Sequence, residues 1–419
     1  MSALAAPQYL VGIDVGSTQC SYALIRPDKT PLAKPGTFAN TAAGFAALVT
    51  KLDSLAVPAE QILIGLEATG LYWENLYYFL QTRGYRLLLL HPAQTHQFAA
   101  QRGLRAKTDA LDATTIARLL SSDELRPAYV PEEQVVAYRE VVRLHTSLSK
   151  DAARYKMQIR GLVTLLFPEF TQVFRNPCRP TALALLQRYP SAHAFVEAGV
   201  EAVTATLGEL KSRRYGRGTA VRLVTLAAQS AASGVARGAR ARSLQILGDQ
   251  LAHIRDHRAD LEAEMAALVR QDAGAAALAE VPEFGPKTVA VLRAELGDMR
   301  RFAHSDQAVA YAGLDETVRQ SGKWRGQRKL SKRGSGAVRR ILYMAAVHSL
   351  TQEGSAFRAY YAHLVESGVG KMSALMAVMR KMLGVAYRLL RDGSRYDPMK
   401  VWAAPKPPPA PTTEAPAGA

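Results

Sequence analysis

The chain has 419 residues, of which 48% are hydrophobic and 21% are charged, so a disordered polymer is excluded and two or three globular domains are expected. The formal net charge is +17, which predicts a large anionic partner. Because the cations are densest in the C-terminal half, the composition favours nucleic acid over a general gain in solubility.

A membrane surface is the competing anion, and the sequence argues against it. No apolar run reaches the ~20 residues of a spanning helix, and no signal peptide precedes Tyr9. Cys20 and Cys178 are the only cysteines and neither has a partner at CxxC spacing, so neither a disulfide framework nor a cysteine–zinc site is expected. We therefore expect a cytoplasmic protein with no membrane partner.

The N-terminal part of the chain, residues 9 to about 123, alternates short strands with helices. Buried strands are predicted at 9–14, 21–25, 62–67 and 85–90, and the segment 31–38 could complete a meander with the first two. Helices are predicted at 41–55, 71–83 and 110–120. Three antiparallel strands followed by alternating strands and helices is the order of an α/β ribonuclease-H-like fold.

Four acids are placed by this order at one end of the predicted sheet. Asp14 and Glu67 end strands that lie side by side, and the i, i+3 spacing of Asp109 and Asp112 places both on one face of a helix start. Four converging carboxylates repel one another unless cations neutralise them. A pair of Mg²⁺ ions that bridge phosphate oxygens is the natural partner.

Each acid also has a less specific interpretation. Asp109 could be the N-cap of its helix, with Asp112 in the favourable first turn. Asp14 and the following residues 15–17 also fit the first phosphate loop of actin-like sugar kinases. Such a kinase needs a second Asp-Gly loop and a glycine-rich adenosine motif, and the sequence has neither.

Two long amphipathic helices are predicted in the middle of the chain. The first covers 132–167, and the second has an apolar seam between Leu244 and Leu268 that only Arg258 interrupts. Such seams pack as an antiparallel pair or between subunits. The insert between them, 168–242, is irregular in pattern, and the sequence assigns it no function.

A helix, a tight turn and a second helix are predicted over 278–297. Gly285 begins the second helix, whose free amides could hold a backbone phosphate together with Lys287, as in a helix-hairpin-helix; an ordinary helical hairpin is the alternative. Further helices are predicted at 336–350 and 371–391, and a disordered Pro/Ala-rich tail at 398–419.

A basic run at 319–334 stands in a stretch with no acid between Glu316 and Glu353. Its cations attract phosphate and its glycines let the backbone come close. Ser321 stands between the first two cations, where a pentavalent phosphate would be stabilised; the alternative is a solvated loop whose serine caps a turn. The predicted nucleic-acid contacts are Lys107, Lys287, Arg319, Lys323, Arg325, Arg328, Lys329, Lys332, Arg333, Arg339 and Arg340.

Taken together and in order, these motifs resemble the transposases of insertion-sequence family one-hundred-and-ten. These are DEDD recombinases related to the Piv invertase, and they are known as bridge-RNA-guided recombinases. The matching residues are Gly12-Ile13-Asp14, Leu66-Glu67-Ala68-Thr69-Gly70, Lys107-Thr108-Asp109 with Asp112, Val281-Pro282 with Gly285-Pro286-Lys287-Thr288, Tyr311-Ala312-Gly313-Leu314, Ser321-Gly322 and Ser331-Lys332-Arg333-Gly334.

The resemblance implies a domain order. It implies a RuvC-like domain at 8–130 whose Asp14, Glu67, Asp109 and Asp112 bind Mg²⁺, and a coiled-coil region at 131–275 that contains the insert. A mostly helical transposase domain with the helix-hairpin-helix-like element follows at 276–397.

The resemblance also implies a mechanism. Ser321 falls on the family's catalytic serine, which attacks a DNA phosphodiester and becomes joined to the 5′ end. A structured non-coding bridge RNA pairs with both target and donor DNA. Two subunits build each composite site, in a dimer that assembles to a tetramer, in the bacterial cytoplasm and on the nucleoid when active.

Two other function classes remain open at this stage. A Mg²⁺-dependent junction nuclease would need only the four acids, with water as the nucleophile. A non-catalytic nucleic-acid-binding protein would need only the cations. A covalent protein–DNA adduct separates the recombinase from both alternatives.

Overall fold

The computed structural model describes residues 6–402, apart from 69, 102–107, 123–124, 126, 212–213, 318–319, 322–323 and 326–328, and for 316–329 it describes the backbone. The chain forms two compact units, residues 1–130 and residues 131–419. Within the described residues, no helix combines the length and the apolar character needed to cross a membrane.

The first unit contains a five-stranded sheet in the order β3-β2-β1-β4-β5. The strands β1, β2 and β3 are antiparallel, whereas β1, β4 and β5 run parallel. This confirms the predicted strand positions, although the third strand starts later than the predicted segment. The strands are β1 (Tyr9–Val15), β2 (Gln19–Ile25), β3 (Gly36–Ala39), β4 (Ile62–Glu67) and β5 (Arg86–Leu90).

Helices cover both faces of this sheet. Successive side chains of the central strands point alternately into two hydrophobic cores, one on each face. Val11 and Ile13 face the core that contains side chains of α1 and α2, and Leu10 faces the core of α4. The sequence pattern predicts no element at α3. The helices of this unit are α1 (Ala42–Asp53), α2 (Trp73–Gln81), α3 (Pro92–Gln101) and α4 (Asp109–Leu119).

A glycine pair lets α4 approach the sheet. Gly12 and Gly65 are partners in the parallel register of β1 and β4. A Cβ atom on Gly12 would lie 2.1 Å from the carbonyl oxygen of Ala113 and 2.2 Å from the amide nitrogen of Ala117. Such distances are impossible for a real side chain, so these glycines set the position of α4 over the carboxyl ends of the two strands.

The second unit is mostly helical. Its elements are α5 (Glu133–Leu166), α6 (Pro180–Arg188), α7 (Ala192–Glu209), α8 (Arg217–Ala228), α9 (Arg237–Gln271), α10 (Ala273–Ala279), α11 (Pro286–Leu296), α12 (Ser305–Tyr311), β6 (Glu316–Thr317), β7 (Gln320–Ser321), β8 (Trp324–Arg325), β9 (Lys329–Leu330), α13 (Gly336–Ser349), α14 (Ala356–Glu366), α15 (Lys371–Asp392) and α16 (Pro398–Val401).

The two long helices α5 and α9 pack against each other within the chain. His145 of α5 lies 2.8 Å from Glu262 of α9, and the later segment 158–165 lines one groove with the earlier segment 243–247. The C-terminal part of α5 therefore lies beside the N-terminal part of α9, and the two helices run in opposite directions. This is the antiparallel arrangement, one of the two that the apolar seam predicts.

The insert at 168–242, whose sequence pattern is irregular, is helical in the structure. The segment contains α6, α7 and α8, and its Phe170, Phe195 and Leu223 are buried in a core shared with α5 and α9. The helices are short or kinked: α7 turns at Gly199, whose φ is 72°. Short helices separated by breaks give weak periodicity, because each one presents only two or three turns to the core.

The prediction of a disordered tail from residue 398 is wrong at its start. Val401 is buried, and the ring of Trp402 lies 4.4 Å from that of His363 and 5.5 Å from that of Tyr360. Burial of Val401 and partial burial of Trp402 offset the entropy of ordering the short α16. The remaining residues, 403–419, lie outside the described part of the chain.

Candidate catalytic and nucleic-acid-binding sites

Two carboxylates lie side by side at the carboxyl ends of β1 and β4. Ile13 and Leu66 are paired across these parallel strands, and Asp14 and Glu67 are the next residue on each. Residues in register on parallel strands point to the same side of the sheet. Both acids therefore share the face that α4 covers, and both are half-buried.

The other two predicted acids lie in the first turn of α4. Asp112 directly precedes Ala113, whose carbonyl sits over Gly12, and it is half-buried, whereas Asp109 is exposed. The N-cap of α4 is Thr108, whose Oγ1 accepts from the amide of Leu111 at 3.3 Å. The alternative N-cap role for Asp109 is therefore wrong.

The four acids do not form one closed metal cage. Among the described residues, no group of three or more His, Cys, Asp and Glu side chains is arranged to hold a metal ion. The structure brings Asp14 and Glu67 together and places the start of α4 on their face. Carboxylate oxygens are the ligands that Mg²⁺ takes, so a magnesium site at this pair stays a prediction. Lys107, predicted beside these acids, lies outside the described residues.

Thr95 is a site residue that sequence analysis missed. It lies in α3, is buried, and donates its hydroxyl hydrogen to Glu67 Oε2 at 2.5 Å. The same hydroxyl oxygen is 2.9 Å from the carbonyl of Pro92. A single threonine in a polar segment carries no recognisable pattern. The one available signal was Pro92, since proline directly after a strand often starts a helix.

We expect Thr95→Val to lower the rate of strand exchange by about tenfold, because Glu67 is a predicted Mg²⁺ ligand and residues that orient such a ligand contribute about 10–100-fold. The substitution keeps the side-chain volume, so the free energy of unfolding should fall by only about 1 kcal/mol. Single-turnover strand exchange and thermal unfolding measure the two effects. Thr206→Val, which removes a buried hydroxyl from the second unit, is the matched control and should keep its activity. Equal rates for both variants would contradict the role of Thr95.

The serine-bearing basic run forms a small antiparallel arm. Strand β6 pairs with β9, and β7 pairs with β8 so that Ser321 is opposite Trp324. Ser321 is thus the last residue of β7, and Trp324 is the first residue of β8. Of the predicted phosphate contacts in this arm, Arg319, Lys323 and Arg328 lie outside the described residues, and Arg325 and Lys329 have their backbone in strands.

The base of the arm is closely packed. Ser331 donates its amide to the Asp315 carbonyl at 2.9 Å and its hydroxyl to the Asp315 carboxylate. A Cβ atom on Gly334 would lie 1.9 Å from the carbonyl oxygen of Tyr311. Arg339 Nη1 donates to the carbonyls of Ala312 at 2.9 Å and Gly334 at 2.8 Å. Arg339 therefore holds the arm to the helical body, and its contact with phosphate stays a prediction.

Three other predicted cations near this base, Lys332, Arg333 and Arg340, are exposed. Ser335 is the next serine after Ser331 in the chain. Its hydroxyl caps α13 by accepting a hydrogen bond from the amide of Val338, and it donates to Glu295 Oε2 at 2.7 Å. Ser331 and Ser335 thus both have structural hydrogen bonds at the base of the arm.

The predicted helical hairpin is present as α10 and α11, with Gly285 as the N-cap of α11. Lys287 Nζ lies 2.9 Å from Glu262 Oε1 and 3.2 Å from His145 Nε2. The hydrogen bond from Lys287 lowers the pKa of Glu262, and burial followed by the Lys287 charge lowers the pKa of His145. A phosphate at this helix start would compete with Glu262 for Lys287.

Two transposase family models match this chain, one in its N-terminal part and one in its C-terminal part. Residues 11–168 match a family model described as a transposase. Residues 275–362 match a second model, described as the transposase IS116/IS110/IS902 family. The first match spans the paired carboxylates and α4, and the second spans the hairpin, the arm and α13.

Individual relatives cover most of the chain. The insertion element IS900 uncharacterized 42 kDa protein of Mycobacterium paratuberculosis is 26% identical over 398 residues, 94% of this chain and 98% of that protein. The insertion element IS110 uncharacterized 43.6 kDa protein of Streptomyces coelicolor is 28% identical over 299 residues, 70% of this chain and 72% of its own. The pilin gene-inverting protein of Moraxella bovis is 22% identical over 362 residues, 86% and 90% of the two chains. With two family models matched in order and relatives aligned over most of their length, the chain belongs to the IS110 family of transposases, enzymes that recombine DNA.

Proposed function

We propose that this transposase cuts and rejoins DNA through a covalent bond between Ser321 Oγ and a 5′ phosphate. The observation that carries the proposal is the position of Ser321 at the end of β7, in an arm flanked by cations and fixed at its base. A serine at the end of a short strand can reach a phosphodiester. The cations of the run supply charge for the phosphorane.

The step balances without an external energy source. Ser321 Oγ forms a bond to phosphorus while the P–O3′ bond breaks, and the departing oxygen takes a proton to become a 3′ hydroxyl. A 3′ hydroxyl from the exchanged strand then attacks the phosphoserine, and Ser321 regains its proton. The phosphodiester bond energy is conserved in the phosphoserine, so no ATP is needed.

A serine hydroxyl is a weak nucleophile at neutral pH and needs an activating group. The sequence offers no histidine within ten residues of Ser321. We place this role with Asp14, Glu67, Asp109 and Asp112 of another subunit, in a dimer that assembles to a tetramer. Mg²⁺ bound by these acids would polarise the phosphoryl oxygens.

The RuvC-like nature of the first unit belongs to the same proposal. Three antiparallel strands followed by two parallel ones, with paired acids at the carboxyl ends of β1 and β4, support it. We also propose that a structured bridge RNA selects target and donor DNA by base pairing, which would place the protein in the bacterial cytoplasm. Sequencing of RNA that co-purifies with the protein tests this part: no enriched structured RNA would contradict it.

Trapping of the covalent adduct tests the nucleophile. Wild-type protein is incubated with donor and target DNA, denatured and digested, and the peptides are mapped by mass spectrometry. We expect a nucleotide remnant on Ser321, and neither adduct nor recombination with Ser321→Ala, which removes one oxygen and no charge. Ser331→Ala and Ser335→Ala are the matched controls and should still form the adduct.

Ser335→Ala loses a helix cap and should cost about 1 kcal/mol of stability without loss of the adduct. A nucleotide remnant on Ser331 would show that the nucleophile lies at the base of the arm and is not Ser321. Cleavage with no adduct on any serine would instead show a nuclease that uses water.

A further inference from the structure

A second cationic feature of this unit lies apart from the arm strands. It is a cleft of about 670 Å³ between α12, α14, α15 and α16, which we call the α15 cleft. Its lining includes four cations, Arg380, Lys381, Arg388 and Lys400, and two acids, Asp306 and Asp315. The cations outnumber the acids, so the cleft attracts an anion.

The two acids of the cleft reduce this charge without cancelling it, because they face four cations. Asp315 accepts hydrogen bonds from Ser331 at the base of the arm. Lys400 Nζ is 3.8 Å from Asp397 Oδ2, a partly exposed pair of little strength. Across the residues that the structure describes, neither Lys381 nor Arg388 forms an ion pair. Two cations of the cleft thus keep their charge for a partner.

The cations follow one side of α15. Arg380 and Arg388 are eight residues apart and so lie on the same side, about 12 Å from each other along the axis at ~1.5 Å per residue. Gly384 lies midway between them and also lines the cleft. A row of cations of this length matches a chain of phosphates better than a single small anion.

Among the residues that the structure describes, no neighbouring atom requires glycine at position 384. It lies inside the 22-residue helix α15, where glycine costs about 1 kcal/mol relative to alanine. A Cβ atom there would meet no described atom within 4 Å, unlike at Gly12 or Gly334, where backbone atoms leave no room. The glycine therefore leaves a bare stretch of helix backbone on the floor of a cationic cleft.

We propose that the α15 cleft binds the phosphodiester backbone of a nucleic-acid strand, which lies against Gly384 between Arg380 and Arg388. The cleft adjoins the base of the arm, because Arg380 Nε donates to the carbonyl of Leu314 at 2.8 Å and Asp315 holds Ser331. A strand in the cleft therefore runs past the root of the segment that carries Ser321. This inference rests on the nucleic-acid partner proposed above and not on the serine chemistry.

The test fills the floor of the cleft without a change of charge. Gly384→Gln extends a neutral side chain over the helix surface. Gly161→Gln in α5 is the matched control, because no described atom lies within 4 Å of its Cβ position either. Both variants replace a helix glycine with a better helix former, so neither should lower the melting temperature. We expect Gly384→Gln to weaken nucleic-acid binding by about tenfold, or about 1.4 kcal/mol, and Gly161→Gln to leave it unchanged.

Binding is measured by fluorescence anisotropy in a Ser321→Ala background, so failure of the covalent chemistry cannot affect the result. The probes are an RNA stem-loop, single-stranded DNA and duplex DNA of equal length. A loss confined to RNA assigns the cleft to the guide, a loss confined to DNA assigns it to the substrate, and a loss for all three supports a shared backbone site. Arg388→Ala should also reduce the slope of the logarithm of the binding constant against the logarithm of the salt concentration by about 1. Unchanged affinity of Gly384→Gln for every probe, or an equal loss in Gly161→Gln, would overturn the proposal.

Discussion

Asp14→Asn and Glu67→Gln are each expected to reduce strand exchange by more than about a hundredfold, while both variants stay folded and bind nucleic acid. Residues that merely orient a metal ligand contribute about 10–100-fold, so loss of a ligand should cost more. Each substitution keeps the size of the side chain and removes one of two neighbouring like charges. We therefore expect little or no loss of melting temperature.

The measurements are strand exchange, thermal unfolding and RNA binding on the same preparations. Asp53→Asn is the matched control: Asp53 ends α1 of the same unit and is exposed, with one long hydrogen bond from Tyr85. It should keep full activity. Excess EDTA should stop the wild-type enzyme. Full activity of Asp14→Asn, or of the wild type in EDTA, would show that this pair of carboxylates has no part in the reaction.

The sheet of the first unit could be predicted because its central strands are buried on both sides. Such strands give continuous apolar runs, and those ending in Asp14 and Glu67 stand out against the polar loops that follow. Helix α3 gave no such signal, because Thr95 is its one buried residue. The hydrogen bond from Thr95 to Glu67 depends on tertiary position, which single-sequence periodicity does not contain.

The positive charge of the arm could be predicted from its composition, but its strands could not. Each strand is two residues long, which is too short to show the alternation of polar and apolar residues that identifies a strand. The α15 cleft was missed for another reason. Arg380 and Arg388 belong to a strongly amphipathic helix, and sequence alone does not show that α12, α14 and α16 leave a gap beside them.

The packing at the base of the arm leads to a second large expected effect. A Cβ atom on Gly334 would lie 1.9 Å from the Tyr311 carbonyl oxygen and 2.5 Å from the backbone nitrogen of Gly313. These neighbours are backbone atoms, so no side-chain rotation relieves the clash. Gly334→Ala must displace the base of the arm, and with it the Arg339 hydrogen bond to the Gly334 carbonyl.

We expect Gly334→Ala to reduce covalent adduct formation by about a hundredfold, the usual cost of misplacing a reacting group by about 1 Å. Gly336→Ala is the matched control: it lies two residues on, and its Cβ atom would meet nothing closer than Arg339 Nη2 at 3.7 Å. Because Gly336 is the first residue of α13, alanine there should leave stability unchanged or raise it slightly. Adduct formation and melting temperature are measured for both variants. If Gly334→Ala forms the adduct as fast as Gly336→Ala, the fixed base of the arm does not position Ser321, and the serine must be aligned by the bound nucleic acid instead.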